Sequence, residues 1–466
     1  VKLIREHPNM YAVFLTHHCC GPDSMLLHYF RELAGEKPYL NIEVDEHSSS
    51  VGVLTRIEAF INSLSGRKTH VAAPVEEYVR TLPSSPCRML RSLDQLDGKT
   101  TLFLPFLYPY SSLLEALLRA RGVDAEELPE PDGATLDEGR AQTLTNELLS
   151  LTVLLGSLFR KARERAGKPS AFFIPQTEGA EVDGQYARLA RMLLDEKGYG
   201  GAEIVAPFLE DGPETNAELL SAVFSCVAAG DAVLAATLRS RKEYLRRLRG
   251  VVSARGVAPE TLRRIGEEIA EEWRGLEEPL SIFAVGEASV LYNDFLNNFM
   301  LRTMEEKDGH RVVRAPLSEC LWFFWNDALP LLSSEARNTS ARLMDEFAGT
   351  MRSLSDALSL YTPFSESSET LANDADASTG LYGGACGRYR AARTLRSPEA
   401  VRGVVTLSST YENTGILLNA LDRKRYETAK PILDLTFDGG FGENDRVKLE
   451  SFVHYLKRER ECPLAR

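Results

Sequence analysis

Short apolar runs alternate with amphipathic stretches along most of the chain. The runs that predict buried strands are YAVFL, YLNIEV, TLFLPF, AFFIP, EIVAPF, SIFAV, GVVTL and PILDLTF. Between them, segments such as SLLEALLRARG and QYARLARMLLDEKGYG carry apolar residues at helical spacing, and Gly198 is placed to end the second of these helices. Strands that alternate with helices in this way are typical of α/β proteins with parallel sheets.

Longer helical patterns interrupt this alternation. One covers residues 217–274, another covers residues 335–360, and the apolar run LLSLTVLLGSLF from Leu148 predicts a buried helix. The polar, glycine-rich segment that starts at Phe364 (FSESSETLANDADASTGLYGGACG) predicts a loop or linker. We therefore predict α/β architecture: repeated flavodoxin- or Rossmann-like units with mainly parallel sheets, joined by long helices.

One pattern occurs twice. Residues 12–61 show a strand, a polar turn, a helix, Lys-Pro, a strand, an Asp and a final helix, and the same order returns after residue 402. Pro38 matches Pro431, Asp45 matches Asp438, and RIEAF at Arg56 matches KLESF at Lys448. The alternative is chance similarity between two ordinary β-α-β-α units, but the preserved spacing favours duplication.

The repeat suggests three units. A strand-turn-helix-strand half, LSIFAVGEAS to RVVRAPL, precedes the second copy, whereas nothing comparable precedes the first. We expect the first unit to begin upstream or on another chain. The predicted units are residues 1–95, the second half of an α/β unit, residues 96–255, a middle unit with a long helical segment, and residues 256–466, whose second half repeats residues 12–61.

Composition narrows the class of protein. The chain has 466 residues and a formal net charge of −13, which argues against nucleic acid or an anionic membrane as the main partner. Its apolar runs are too short to predict a membrane span. Seven scattered cysteines form neither a disulfide framework nor a zinc-finger spacing, so we expect a cytoplasmic protein. A dimer stays open.

The densest group of reactive side chains is THHCCGPDSM, residues 16–25, between a predicted strand and a predicted helix. Cys20, with Cys19 beside it, would stand at the start of the helix with Asp23 or Ser24 near its N-cap. The helix dipole favours thiolate there, the form that binds metal or acts as a nucleophile. The alternative is a buried pair of structural cysteines. His17 and His18 are more simply explained as packed or surface residues.

Three other turns follow strands, and ligands of parallel α/β sheets bind at such turns. In IPQTEGAEVDGQYARL, Glu181 or Asp183 would lie at a helix start, where a carboxylate is stable without a catalytic role. In AVGEASVLYNDF, Glu287 would either bind a ligand or cap a helix. In TLSSTYENTG, only Glu412 could bind a metal. The role of Cys386, in GACGRYRA, stays open, and common phosphate-binding or hydrolase motifs are absent.

These turns resemble the 2-hydroxyacyl-CoA dehydratase superfamily. The chain is most similar to the dehydratase-like C-terminal region of acyl-CoA dehydratase activase-related proteins, kin to double-cubane cluster proteins. The segments that carry the resemblance are CGPDSMLLHYF, LNIEVDEHSSSVGVLTRIEAF, GQYARLARMLLDEKG, GDAVLAATLRSRKEYL and PILDLTFDGG. The resemblance implies an oxygen-sensitive [4Fe-4S] cluster held by cysteines, an ATPase or activase region upstream or on a partner subunit, and an acyl-CoA substrate.

The chain departs from the family at the implied cluster ligands. Cys20 keeps a cysteine, with Cys19 beside it, but Leu148, Glu181 and Tyr411 stand where the family has its other cysteines. By a shift of one residue, Cys20 matches Tyr411 within the repeat. A complete site would need Cys320, Cys386 or ligands from another subunit.

Three hypotheses follow. In the first, the chain is the dehydratase-like component of an ATP-dependent, iron–sulfur dehydratase or reductase system, and Cys20 and Cys19 bind metal. In the second, it is a cluster-free scaffolding or regulatory module of a larger activase-related protein. The third is a mononuclear zinc or iron site made by His17, His18, Cys19 and Cys20, which is disfavoured because alternate residues of a strand point to opposite faces. Whether the chain is itself an enzyme stays open.

Overall fold

The fold was analysed in a computed structural model. The structure describes residues 1–17, 21–45, 47–65, 87–144, 147–177, 182–209, 216–307, 309–332, 334–364, 367–379, 384–420, 430–440 and 442–461. His18, Cys19, Cys20 and Glu181 lie outside these residues, so the predictions made for them stay predictions.

The N-terminal segment forms a small sheet of two parallel strands. Its elements are α1 (Lys2–Glu6), β1 (Ala12–His17), α2 (Gly21–Ala34), β2 (Tyr39–Val44) and α3 (Ser50–Leu64). Ala12 pairs with Tyr39 and His17 pairs with Val44. Helix α2 begins at Gly21, and Asp23 lies in its first turn.

The middle segment forms a five-stranded parallel sheet of order β3-β7-β6-β4-β5. Its elements are β3 (Arg88–Leu90), β4 (Thr101–Leu104), α4 (Tyr110–Ala120), β5 (Ala125–Glu127), α5 (Gly133–Gln142), α6 (Leu149–Glu164), β6 (Ser170–Phe173), α7 (Tyr186–Glu196) and β7 (Ala202–Val205). As predicted, α6 is buried along most of its length. The sequence analysis missed β3, whose run of three residues is too short to show periodicity.

Among the residues that the structure describes, three helices follow the middle sheet: α8 (Ala217–Ala235), α9 (Arg241–Val251) and α10 (Pro259–Arg274). The helical stretch predicted over residues 217–274 is confirmed, and it is divided into three helices because Ala236 is extended and Pro259 starts a new helix. By length and composition α8 could cross a membrane, but 67% of its most apolar window is buried inside the protein, where it packs against α4, α10 and α14 (Ser334–Leu358).

The C-terminal segment forms a four-stranded parallel sheet of order β11-β10-β8-β9. Its elements are β8 (Ser281–Gly286), α11 (Ala288–Leu291), α12 (Met300–Glu306), β9 (Arg311–Arg314), α13 (Leu317–Ala328), α14, α15 (Ser368–Thr379), α16 (Gly384–Leu395), β10 (Gly403–Ser409), α17 (Asn413–Ala420), β11 (Ile432–Phe437) and α18 (Glu443–Glu461). The prediction of a linker after Phe364 is wrong, because α15 and α16 form there.

Three mainly parallel sheets and long helices confirm the predicted fold class. The second long helix is also confirmed, since α14 spans Ser334–Leu358. The segment from Phe364 was misassigned because the helix in which it ends, α16, is held by arginines whose partners are distant in sequence. On α16, Arg388, Arg390 and Arg393 are all buried and paired with Asp327, Glu412 and Glu319, respectively.

The repeat is visible in the strand pairing. The Ala12–Tyr39 pair corresponds to Val404–Ile432, and the His17–Val44 pair corresponds to Ser409–Phe437. Counted from this register, the starts of α2 and α17 also correspond, so position 20 matches Glu412 and position 19 matches Tyr411. The one-residue shift assumed in the sequence analysis is therefore unnecessary.

Side-chain contacts repeat as well. Lys37 donates from Nζ to the carbonyl oxygens of His7 at 2.6 Å and Pro8 at 3.5 Å. Lys430 donates to those of Pro398 and Glu399 at the same two distances. Each lysine therefore ties the start of the second strand to the loop before the first.

The turn after the second strand repeats too. Asp45 Oδ1 accepts from the backbone N–H two residues later at 3.0 Å, and Asp438 Oδ1 does the same at 2.7 Å. Because the lysine, the Asp and the strand register agree in both copies, they favour duplication over chance similarity.

Candidate functional site

The four turns named in the sequence analysis follow strands in three different sheets. They lie between β1 and α2, between β6 and α7, between β8 and α11, and between β10 and α17. Because all these strands belong to parallel sheets, each turn stands at the carboxyl end of its strand, the side on which such sheets bind ligands. Contacts among the described residues connect the turns in a chain.

The first turn meets the fourth at Gly21. The Gly21 N–H donates to the carbonyl oxygen of Tyr411 at 3.2 Å. A Cβ placed on Gly21 would lie 3.0 Å from Cδ1 of Leu148, so Leu148 packs directly on the backbone of Gly21. Two of the three positions where the family resemblance implies lost cysteines, Leu148 and Tyr411, therefore meet beside the residue that follows Cys20 in sequence.

The second turn joins the same cluster. Val182 and Tyr186 pack into an apolar group that also contains Met25, Leu148 and Tyr411. The Tyr186 hydroxyl lies 3.1 Å from Ser150 Oγ, and burial raises the pKa of this phenol well above its usual value. We call the meeting point of Gly21, Leu148, Val182, Tyr186 and Tyr411 the turn junction.

The third turn is tied to the fourth by Glu287. Its Oε2 accepts the Ser409 N–H at 2.8 Å and its Oε1 accepts from Ser289 Oγ at 2.6 Å. The preceding Gly286 is needed because a Cβ there would lie 2.0 Å from the Leu407 carbonyl oxygen. Both carboxylate oxygens of Glu287 therefore have partners within the chain, which favours the structural alternative for this residue.

The fourth turn is held by a buried ion pair. Arg390 Nη1 donates to both carboxylate oxygens of Glu412, at 3.0 and 2.9 Å. Glu412 Oε2 also accepts the Gly415 N–H at 2.7 Å, inside the first turn of α17. The only metal-binding side chain predicted in this turn is thus occupied by an arginine and a backbone donor.

Asp183 brings a third carboxyl group to this region. The residue is exposed at the surface, but the protein around it partly desolvates the carboxylate and raises its pKa to about 6, and the nearby charges of Glu287 and Glu412 act in the same direction. Thr177 Oγ1 donates to it at 3.2 Å, which partly stabilises the anion. Since the charges of Glu287 and Glu412 both act on Asp183, three carboxyl groups from distant sequence segments lie near one another.

The sequence analysis missed a buried histidine–glutamate pair beside the turn junction. His28 Nε2 on α2 lies 2.8 Å from Glu147 Oε1, and both side chains are buried. The pair joins α2 to the residue just before Leu148. Its members are 119 positions apart, so no local pattern could have revealed them.

The described cysteines do not complete a metal site. Cys87 and Cys226 are buried, and burial raises the pKa of each thiol to about 12, which disfavours the thiolate that a metal requires. Cys320 and Cys386 are half-buried and pack against the large apolar core around the C-terminal sheet. Within the described ranges, no three His, Cys, Asp or Glu side chains are placed to hold a metal ion.

The residues of the turn junction therefore do not fit a [4Fe-4S] cluster held by thiolates from several turns. Leu148 offers an apolar side chain, Tyr411 a phenol, and Leu148 is completely buried. The third hypothesis, a mononuclear site, depends on His18, Cys19 and Cys20 and stays a prediction.

Comparisons with known proteins found neither a family model nor a curated protein that matches this chain. The family resemblance accordingly depends on the sequence segments quoted above.

Proposed function

We propose that this chain is the dehydratase-like module of an ATP-dependent acyl-CoA dehydratase or activase-type system in the cytoplasm, and that it acts there as a cluster-free scaffold or regulatory part. One observation carries the proposal. The positions that correspond to the family's cluster ligands come from distant parts of the sequence, yet Leu148 and Tyr411 meet at Gly21. A chance resemblance would give no reason for these positions to converge.

The side chains at the turn junction support the cluster-free role. Leu148 fills space against Gly21, Tyr411 packs in the same apolar group, and the carboxylates of Glu287 and Glu412 bind donors of their own chain. A site that holds a cluster needs thiolates directed at a shared space. Here the corresponding positions stabilise contacts between the units, as a scaffold requires.

The test is the iron and acid-labile sulfide content of protein purified under strict anaerobic conditions. We expect far less than one cluster per chain and no charge-transfer absorption in the visible range. The Cys20→Ser variant should have the same metal content and the same spectrum as the wild type. The iron content of the wild type is compared with that of the double variant Leu148→Cys/Tyr411→Cys, which returns thiols to two positions of the turn junction.

A second function is favoured by the frame around the opening turn. Thr16 Oγ1 donates to Asp23 Oδ2 at 2.8 Å, so the two ends of the segment that contains Cys19 and Cys20 are held together beside the turn junction. The first hypothesis, a cluster bound through these cysteines and ligands of another subunit, places the ligands here. Stoichiometric iron in the wild type that is lost in Cys20→Ser would establish this second function and refute the cluster-free role.

A further inference from the structure

Within the described part of the chain, one edge of strand β1 is open, whereas the equivalent edge of β10 in the C-terminal copy of the repeat is paired. Strand β1 pairs with β2 on one side, and among the described residues no strand pairs with its other side. In the C-terminal copy the corresponding edge of β10 pairs with β8, from Gly403–Ile282 to Leu407–Gly286. By the register of the two copies, the open edge of β1 runs over positions 11–15.

The same comparison identifies an uncovered apolar face. Four side chains of the N-terminal copy have equivalents in the C-terminal copy through the strand register and the RIEAF/KLESF match. Their exposed fractions, with those of their equivalents, are Val13 46% and Val405 0%, Leu15 66% and Leu407 0%, Val44 39% and Phe437 1%, and Ile61 56% and Val453 7%. Residue type and backbone position are alike, so the difference lies in what covers them.

The final helix of each copy packs on the same face of its sheet, as the contact between α3 and Tyr11 shows. Phe60 of α3 packs edge-on against Tyr11, with ring centroids 6.3 Å apart. In the C-terminal copy Phe452, the equivalent of Phe60, packs on Gly403, the equivalent of Tyr11. Helix α3 therefore sits as α18 does, but none of its residues is buried.

The edge carries no feature that would prevent pairing. Exposed edge strands of native proteins are usually protected by proline, lysine or a bulge. Residues 12–16 of β1, AVFLT, contain no charge and no proline, and their pairing with β2 is continuous. This is the composition of a strand that is paired on both sides.

The helix before β1 has a counterpart in the C-terminal copy. Helix α16 ends at Leu395, shortly before β10, and packs on α17 and on β8. Helix α1 ends at Glu6, shortly before β1, and packs on α2, the equivalent of α17. It therefore corresponds to the last part of α16, the connection through which the β8–β9 half reaches β10.

We propose that the open edge of β1 and the face formed by Val13, Leu15, Val44 and Ile61 receive a strand-helix-strand segment that precedes α1 on the same polypeptide. Its first strand adds parallel to β1 along positions 11–15, as β8 adds to β10, and its apolar side chains cover Val13 and Leu15. The proposal depends on the repeat and not on the proposed function.

The first test replaces Leu15 by the photo-crosslinker p-benzoylphenylalanine in the polypeptide as its own gene encodes it. After irradiation, mass spectrometry should find position 15 joined to a peptide N-terminal to residue 1, with the mass of the protein unchanged. Ile416, 50% exposed on α17 of the C-terminal copy, is the control position and should give no such product. A crosslink that adds a second chain, a crosslink within residues 1–466, or a yield no higher than at position 416 would overturn the proposal.

The second test needs no substitution. Amide hydrogen exchange over residues 11–16 is compared between the 466-residue chain alone and the complete polypeptide. Pairing of the open edge should slow exchange there by ~100-fold, while residues 403–409 exchange at the same rate in both. Equal rates over residues 11–16 would refute the proposal even if the crosslinked variant failed to fold.

Discussion

The ion pair between Arg390 and Glu412 offers the sharpest test of how the fourth turn is held. The side chains are 7% and 8% exposed, and one guanidinium nitrogen contacts both carboxylate oxygens. The Arg390→Met variant keeps much of the side-chain volume but leaves a buried carboxylate without its cation. Removing one partner of a buried pair typically costs 3–5 kcal/mol. We expect ~3 kcal/mol, because Glu412 keeps the Gly415 N–H.

Two further variants separate the pair from its surroundings. In Arg390→Met/Glu412→Gln no charge is left unpaired, so the double variant should be more stable than Arg390→Met alone. Arg446→Met is the exposed control. It breaks an i,i+4 pair with Glu450 in which both side chains are about two-thirds exposed, and it should cost under ~0.5 kcal/mol.

The assay must be local, because a chain with several cores need not unfold in one step. Hydrogen exchange of peptides from β10 and α17 reports the free energy of opening around Glu412. A cost of ~3 kcal/mol corresponds to roughly a hundred-fold faster exchange in Arg390→Met. Exchange within three-fold of wild type, or faster exchange in the double variant than in Arg390→Met, would refute this account of the turn.

Three other predictions follow from single contacts. Lys37→Met and Lys430→Met should each destabilise only their own copy by ~1–3 kcal/mol, because the loop carbonyls lose their donor; hydrogen exchange of both copies checks this. Burial raises the pKa of Glu127 to about 7, so between pH 4.5 and 7 the folded state keeps a proton that the unfolded state releases. The free energy of unfolding of the wild type should therefore fall by up to ~3 kcal/mol relative to that of Glu127→Gln as pH rises from about 4.5 to 7. Urea-unfolding free energies of the two proteins that change in parallel with pH would contradict this. Gly21→Val should destabilise the turn junction by ~2 kcal/mol, and combined with Leu148→Ala it should cost less than the sum of the two single changes, as melting temperatures would show.

The fold class was predictable because strand and helix patterns are local. YAVFL and PILDLTF became β1 and β11, and the helix expected from Leu148 became α6 at Leu149–Glu164. Gly198 ends its helix as predicted, with a positive φ of 81° just beyond α7. Each of these features is set by residues within one element, so a single sequence contains the signal.

The sequence-based predictions failed where the local structure depends on contacts between residues that are distant in sequence. A segment rich in serine, glycine and acidic residues after Phe364 indicated a linker, yet its last residues begin α16, in which Arg393 is buried and paired with Glu319. Such partners are invisible in a local window, because the cost of burying an arginine is offset only when the acid is present. The same holds for His28 and Glu147, whose contact at 2.8 Å could not be foreseen.

At the turn junction the fold does not determine the chemistry. The contact that brings the first and fourth turns together is a backbone hydrogen bond from Gly21 to Tyr411, and it requires no particular side chain at position 411. A chain can therefore lose cysteines at such turns and keep the arrangement of its units. It follows that the arrangement of the turns carries no information on cluster content. That question depends on the thiolates alone, which is why the iron and sulfide measurement, with Cys20→Ser beside it, discriminates between the two functions.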